Sequence, residues 1–133
     1  MNLKKNWIYF LIPLICLFSC QKQDELKSKR ISPDEIITRY NDALRWNLYE
    51  EARNFILPQA QAQFDEFVKL NNGRLNIIDY KIVSIELSPD GKELVCRIWR
   101  SFYTIPDMKQ KEEQLDQNWK LANGIWLLSG PPF

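Results

Sequence analysis

Histidine is absent from this sequence, which excludes imidazole-based metal sites and nucleophile–histidine triads within the chain. Glycine is almost as scarce. The four glycines, Gly73, Gly91, Gly124 and Gly130, stand where turns or helix ends are expected, so no glycine-rich phosphate loop exists. An excess of one charge is also missing: 18 Lys+Arg face 17 Asp+Glu, and Lys27, Lys29 and Arg30 form the one basic cluster. Nucleic acid, which requires a clustered basic face, is not an expected partner. Finally, there is no long apolar run. The stretch from Trp7 to Phe18 has 12 residues and contains Pro13, well short of the roughly 20 residues a spanning helix requires.

That short run follows Lys4 and Lys5 and ends in Leu17-Phe18-Ser19-Cys20. A basic start and a brief apolar core are the marks of an export signal. The ending resembles the lipobox of bacterial lipoproteins, with an aliphatic residue three before the cysteine and a small residue immediately before it. The resemblance implies a signal peptide over residues 1–19 and lipidation of Cys20 as the first residue of the mature chain. It also implies membrane attachment through that lipid, in the bacterial cell envelope. Gln21 resembles the residue found in lipoproteins sorted to the outer membrane, facing the periplasm. Several acyl chains hold a protein at a bilayer where a single chain binds only reversibly.

Without residues 1–19, the 114 residues from Cys20 carry 16 Lys+Arg against 17 Asp+Glu, a length that suits one domain with one core. Residues 20–31 read as the lipidated cysteine and a flexible tether, polar and without apolar period; the 11 residues after Cys20 span roughly 18 Å on average. Cys16 leaves with the signal and Cys20 is consumed by the lipid, so Cys96 has no internal disulfide partner. Within Leu94-Val95-Cys96-Arg97-Ile98 it reads as a buried thiol behaving as a small hydrophobe.

The folded domain is expected over residues 32–133. Ile31-Ser32-Pro33-Asp34-Glu35-Ile36 carries a capping signature, with Ser32 as cap, Pro33 in the first turn, Glu35 closing the box and Ile31 stapled to Ile36. A first helix then runs to about Trp46, burying Ile36, Ile37, Tyr40, Ala43 and Leu44. Asn47-Leu48-Tyr49-Glu50 starts a second helix to about Ile56, with Leu48, Ala52, Phe55 and Ile56 inside. A third covers Pro58 to Leu70, with Ala60, Phe64, Phe67 and Val68 inward, and ends at Gly73. Beyond Arg74 the β-branched and aromatic residues predict strands over 75–87, 92–105, 108–121 and 125–129, with a bulge near Ile82-Val83 and a type I′ turn at Asn123-Gly124.

Three N-terminal helices followed by an antiparallel meander define an α+β fold. With the closing hairpin Trp119-Lys120-Leu121-Ala122-Asn123-Gly124-Ile125-Trp126, this order resembles the NTF2-like (cystatin-like α+β) superfamily, many of whose bacterial members are small lipoproteins. The resemblance implies three helices packed on a curved four-stranded antiparallel sheet, often enclosing a conical cavity. The short early strand usual between the helices is not evident. Isomerases and dehydratases share this fold with binding and assembly domains, so the fold does not choose between them.

The residues narrow the choice. Carboxylate acid–base chemistry would fall to Asp79, Glu86 or Asp116, with Tyr40 and Tyr80 as hydrogen-bonding cavity residues. Each also has a plain structural role available, solvated for the carboxylates and packed in the core for the tyrosines. The predicted second strand is apolar on both sides, Leu94, Cys96, Ile98 and Phe102 against Val95, Trp99, Tyr103 and Ile105, with Arg97 and Arg100 between them. Helices cover one face, so the other requires a second copy, an envelope protein or the tail Gly130-Pro131-Pro132-Phe133. Arg97, Trp99 and Tyr103 form the candidate interface, because Trp, Tyr and Arg dominate the energetics of protein contacts. The expectation is a lipid-anchored binding or assembly domain without a cofactor; the alternative is a small-molecule carrier or a carboxylate-dependent enzyme.

Overall fold

In the computed structural model of the protein, which describes residues 31–133, Pro33 opens helix α1 (Pro33–Arg45). The expected capping box does not form. Ser32 is extended and makes no side-chain cap, its carbonyl accepts from the Ile36 amide at 3.3 Å, Ile31 stays exposed, and Glu35 pairs with Arg39 one turn on. Helix entry therefore rests on the fixed φ of Pro33 and on acidic residues in the first turn. The expectations about residues 1–30, including Cys20, lie outside the described residues.

Asn47 ends α1; it does not cap the next helix. Its φ of +56° puts it in the left-handed region, and the amides of Asn47 and Leu48 return to the carbonyls of Leu44 and Ala43, which is the geometry of a Schellman closure. Helix α2 (Tyr49–Arg53) is consequently shorter than expected, and its buried face holds Tyr49 and Ala52 while Leu48 is exposed. A 3₁₀ turn (Pro58–Ala60) leads into α3 (Gln61–Asn71), which buries Phe64 and packs Phe67 and Val68 against the core. Gly73, at φ +74°, takes the left-handed conformation that turns the chain into the sheet.

The four strands, β1 (Leu75–Leu87), β2 (Glu93–Thr104), β3 (Lys111–Ala122) and β4 (Ile125–Leu128), form one antiparallel meander in that order. The bulge expected at Ile82-Val83 is present, since Ile82 pairs with Ile98 but Ser84 with Arg97; a second lies between Ile77 and Asp79. Strand β3 starts three residues later than expected because Met108 has a φ of +57° and its amide bonds back to the Thr104 carbonyl, which closes a turn. Asn123 and Gly124 both have positive φ, as a two-residue type I′ hairpin requires.

The segment after α2 supplies the early strand as a single bridge. Ile56 pairs in parallel with Leu128, the Leu57 amide donates to the Leu128 carbonyl at 2.9 Å, and the Leu128 amide donates to the Phe55 carbonyl at 2.7 Å. The core lies between the helices and one face of the sheet, where Ile37, Tyr40, Phe64, Cys96, Ile98, Trp119 and Leu128 are fully enclosed. The C-terminal tail closes this same side. Phe133 is buried with its ring 5.2 Å from that of Phe64 and 5.6 Å from that of Phe67. It does not cover the second face of β2, because its apolar ring finds the aromatic surface of α3 on the helix side.

Candidate functional site

The pleat divides the sheet residues into two sets. On the helix side, β2 presents Leu94, Cys96, Ile98 and Arg100, and β3 presents Leu115, Gln117 and Trp119. Tyr40 projects from α1 into this layer, its ring edge-on to Trp119 at 5.5 Å and to Phe55 at 6.4 Å. Aromatic contact thus fills the space beneath α1, where a conical cavity was expected.

Polar groups in the interior are mostly paired with one another. Asn41 Nδ2 donates to the Ile37 carbonyl at 2.8 Å and to Gln117 Oε1 at 3.2 Å, and Gln117 Nε2 donates back to Asn41 Oδ1 at 3.0 Å. Arg100 pairs through Nε with Glu113 and donates from Nη1 to the backbone oxygen of Phe133 at 3.0 Å. These pairings satisfy groups whose isolated burial would cost several kcal/mol. Two donors are left over: Tyr40 Oη and Trp119 Nε1 are buried and bond to no group among the described residues. Burial raises the Tyr40 hydroxyl far above the ordinary tyrosine range, the Arg100 charge opposing it, so Tyr40 stays protonated.

The five expected cavity residues do not converge. Tyr40 is enclosed, whereas Tyr80 is half-buried on the helix side and donates its hydroxyl to Asp42 Oδ1 at 2.7 Å and to the Thr38 carbonyl at 3.2 Å. Burial, followed by the bond to Asp42, raises its pKa and makes it a strut between α1 and β1. Asp79 is half-exposed, 3.7 Å from Arg45 Nη1. Glu86 lines an open cleft of about 460 Å³ at the hairpin end of the sheet, with Val95, Asn118, Lys120 and Ser129. Asp116 is on the outer face: the alternation that turns Leu115 and Gln117 inward turns it outward. There Arg97 grips it through two bonds of 2.8 and 3.0 Å, and these hold its carboxyl below the usual range.

The candidate interface residues do share one surface. Arg97, Trp99 and Tyr103 occupy the outer face of β2, in register with Asp116 and Gln114 of β3 and with Ser84, Lys81 and Asn76 of β1. Trp99 is partly exposed, with the Lys81 ammonium 5.3 Å from its ring centroid, a separation typical of cation–π contact. The face is more polar than one strand suggested, because its neighbours contribute Lys81, Glu86, Glu112, Gln114, Asp116 and Asn118. Lys81, Asn41, Gln117 and the inward Arg100–Glu113 pair were not picked out from sequence. The period-2 pattern from Ile98 does place Arg100 inside, but its partner comes from across the sheet.

No protein-family model matches the sequence, and no curated protein matches it. Solved structures do resemble the chain. A SEC-C motif containing protein from Rhodopseudomonas palustris aligns with a TM-score of 0.62 at 13% identity, over 74% of this chain and 75% of the other. An LEH-like epoxide hydrolase from M. tuberculosis aligns with a TM-score of 0.53 at 10% identity, over 72% and 76%. A protein of unknown function from Nostoc punctiforme, described as having a cystatin-like fold, aligns at 0.48 and 10% identity over 71% and 81%. What the chain shares with the first two is the fold alone, an α+β arrangement with helices packed on a four-stranded antiparallel sheet. One of them is an enzyme, and a shared fold does not carry its activity to this chain.

Proposed function

We propose that this protein is a binding or assembly domain of the bacterial cell envelope, tethered through a lipid on Cys20 and engaging a protein partner with the outer face of its sheet. One observation carries the reading: two large aromatic groups within reach of a partner, Trp99 and Tyr103, share the outer face of β2 with Arg97, Trp99 next to it on that face and Tyr103 further along, while the polar groups beneath α1 are largely committed to one another. Aromatic residues flanked by Arg are the usual energetic centres of protein contacts.

The test compares wild-type chain with a Trp99→Ala, Tyr103→Ala variant in cells, using site-specific photo-crosslinking from the outer face. The variant should remain folded and lose the crosslinked envelope species, while Asp79→Asn and Glu86→Gln keep them. Identical crosslinks in wild type and variant would refute the reading. Lipid attachment is tested separately: Cys20→Ala should abolish metabolic labelling by a fatty acid and release the protein from the membrane fraction. Labelling equal to wild type would end the anchoring proposal.

A second reading, as a small-molecule carrier, is favoured by the two unpaired donors Tyr40 Oη and Trp119 Nε1. A ligand reaching them would have to part the aromatic packing beneath α1, and an acceptor on it would then satisfy a donor that the fold leaves without one. Tyr40→Phe separates the readings: under the carrier reading it weakens ligand-dependent quenching of tryptophan fluorescence, and under the first it leaves the outer-face crosslinks unchanged.

A further inference from the structure

Strand β1 has β2 on one side and no sheet neighbour on the other among the described residues. Thirteen residues of backbone are thereby offered at an edge, and such an edge is a template for another strand. Val83, Ile85 and Leu87 on it are 53%, 38% and 59% exposed, apolar surface on a long edge whose charges and two bulges would have to fit any strand added there.

The pattern along β1 specifies one occupant. Opposed residues of an antiparallel pair point to the same face, so pairing of β1 with β1 of a second copy must match inward with inward positions. The pairing with β2 shows which those are. Tyr80 and Ile82 point inward opposite Arg100 and Ile98, and Ile85 and Leu87 opposite Cys96 and Leu94; Lys81, Ser84 and Glu86 point outward opposite Trp99, Arg97 and Val95. The bulge at Ile82-Val83 lets two residues count as one position and shifts the alternation by one. With that count, a two-fold axis through Ser84 sets Ile85 against Ile82, Glu86 against Lys81 and Leu87 against Tyr80 of the other copy, each pair on one face. Centring the axis one position earlier sets Glu86 against Asp79, a repulsive pair; one position later, Lys81 faces Ser88 and gains no partner.

We infer that the protein self-associates through β1, two copies pairing antiparallel about Ser84 into a continuous eight-stranded sheet. Lys81 of each copy, steadied over the Trp99 ring, meets Glu86 of the other, so the contact carries two equivalent ion pairs and four apolar pairings. It is an isologous contact that closes at two chains. It uses the strand edge and leaves Arg97 and Tyr103 on the outer face for another partner; Trp99 is common to both, and the charge reversals that test the contact leave it unchanged, so the two can fail separately.

The test uses the full chain purified in detergent, with native mass spectrometry across a concentration series. Lys81→Glu and Glu86→Lys should each weaken the dimer by about tenfold or more, because each places like charges together twice. The double swap should restore it, since it re-forms both pairs with the signs exchanged. Ser84→Cys, on the axis, should give an oxidised dimer that wild-type chain under the same oxidant does not. Circular dichroism of each variant checks that the fold is kept. A wild-type chain that is monomeric throughout the series, a dimer unaffected by the single reversals, or a double swap as weak as the singles would overturn the inference.

Discussion

The two faces of one sheet are built on opposite terms. Beneath the helices, Leu94, Cys96, Ile98 and Arg100 of β2 and Gln117 and Trp119 of β3 are buried, and the polar ones are paired, Gln117 with Asn41 of α1 and Arg100 with Glu113. On the other side these strands present Arg97, Asp116 and Trp99 outward and β1 adds Lys81, the four joined by an exposed ion pair and a ring contact. Inside, burial makes each contact count; outside, the charges are solvent-screened and cheap to rearrange, which suits the recognition role proposed for that face. Substitutions on the two faces should therefore separate cleanly, stability falling for one set and association for the other.

The widest separation is expected at Phe64. It is fully buried and packs edge-on against Phe133, so Phe64→Ala should cost about 3 to 5 kcal/mol in urea denaturation. A loss below about 1 kcal/mol would mean that the aromatic layer is not the core. The amide pair comes next. Asn41→Leu or Gln117→Leu alone strands a buried partner and should cost about 1 to 3 kcal/mol. The double substitution should recover part of that loss, because an apolar pair needs no hydrogen bond; purely additive losses would show that the two amides do not act together.

A smaller effect is expected from pH. Burial, and secondarily the Asp116 charge, push the Cys96 thiol up to about 11 from its ordinary 9.0. The folded chain thus keeps a proton that the unfolded chain releases first, so stability should fall as pH rises from 9 to 11 and level off for this group above that. Tyr40, also raised by burial, adds a loss of the same sign. Cys96→Ala should flatten the dependence, which denaturation midpoints across this range measure; an unchanged slope would show that the thiol does not titrate there.

The smallest effect is expected on the outer face. Arg97→Ala should leave the denaturation midpoint within experimental scatter, since the ion pair with Asp116 is solvent-screened. An NMR titration should still register the change, because Asp116, held low by Arg97, should rise toward the ordinary carboxylate range. The contribution of Asp116 is present above its unfolded pKa and disappears as pH falls through its folded one, so the variant should also lose that part of the acid dependence. A large drop in midpoint would overturn the division between the faces.

Local patterns determined much of this architecture. The 3.6-residue spacing in α1 marked five of its buried residues, Gly73 and Asn123-Gly124 fixed where the chain turns, and the shift in alternation at Ile82-Val83 marked the bulge. These features depend on backbone geometry and on which residues avoid water, and both are written in consecutive residues. Partnership is not. Whether Phe133 turns to α3 or to the sheet, and that Tyr80 reaches Asp42, were decided by groups far apart in the chain. Asp116 shows the reason most directly: its type suggested chemistry, but the pleat of β3 set the face it occupies, and the neighbouring strand supplied the Arg97 that holds its charge.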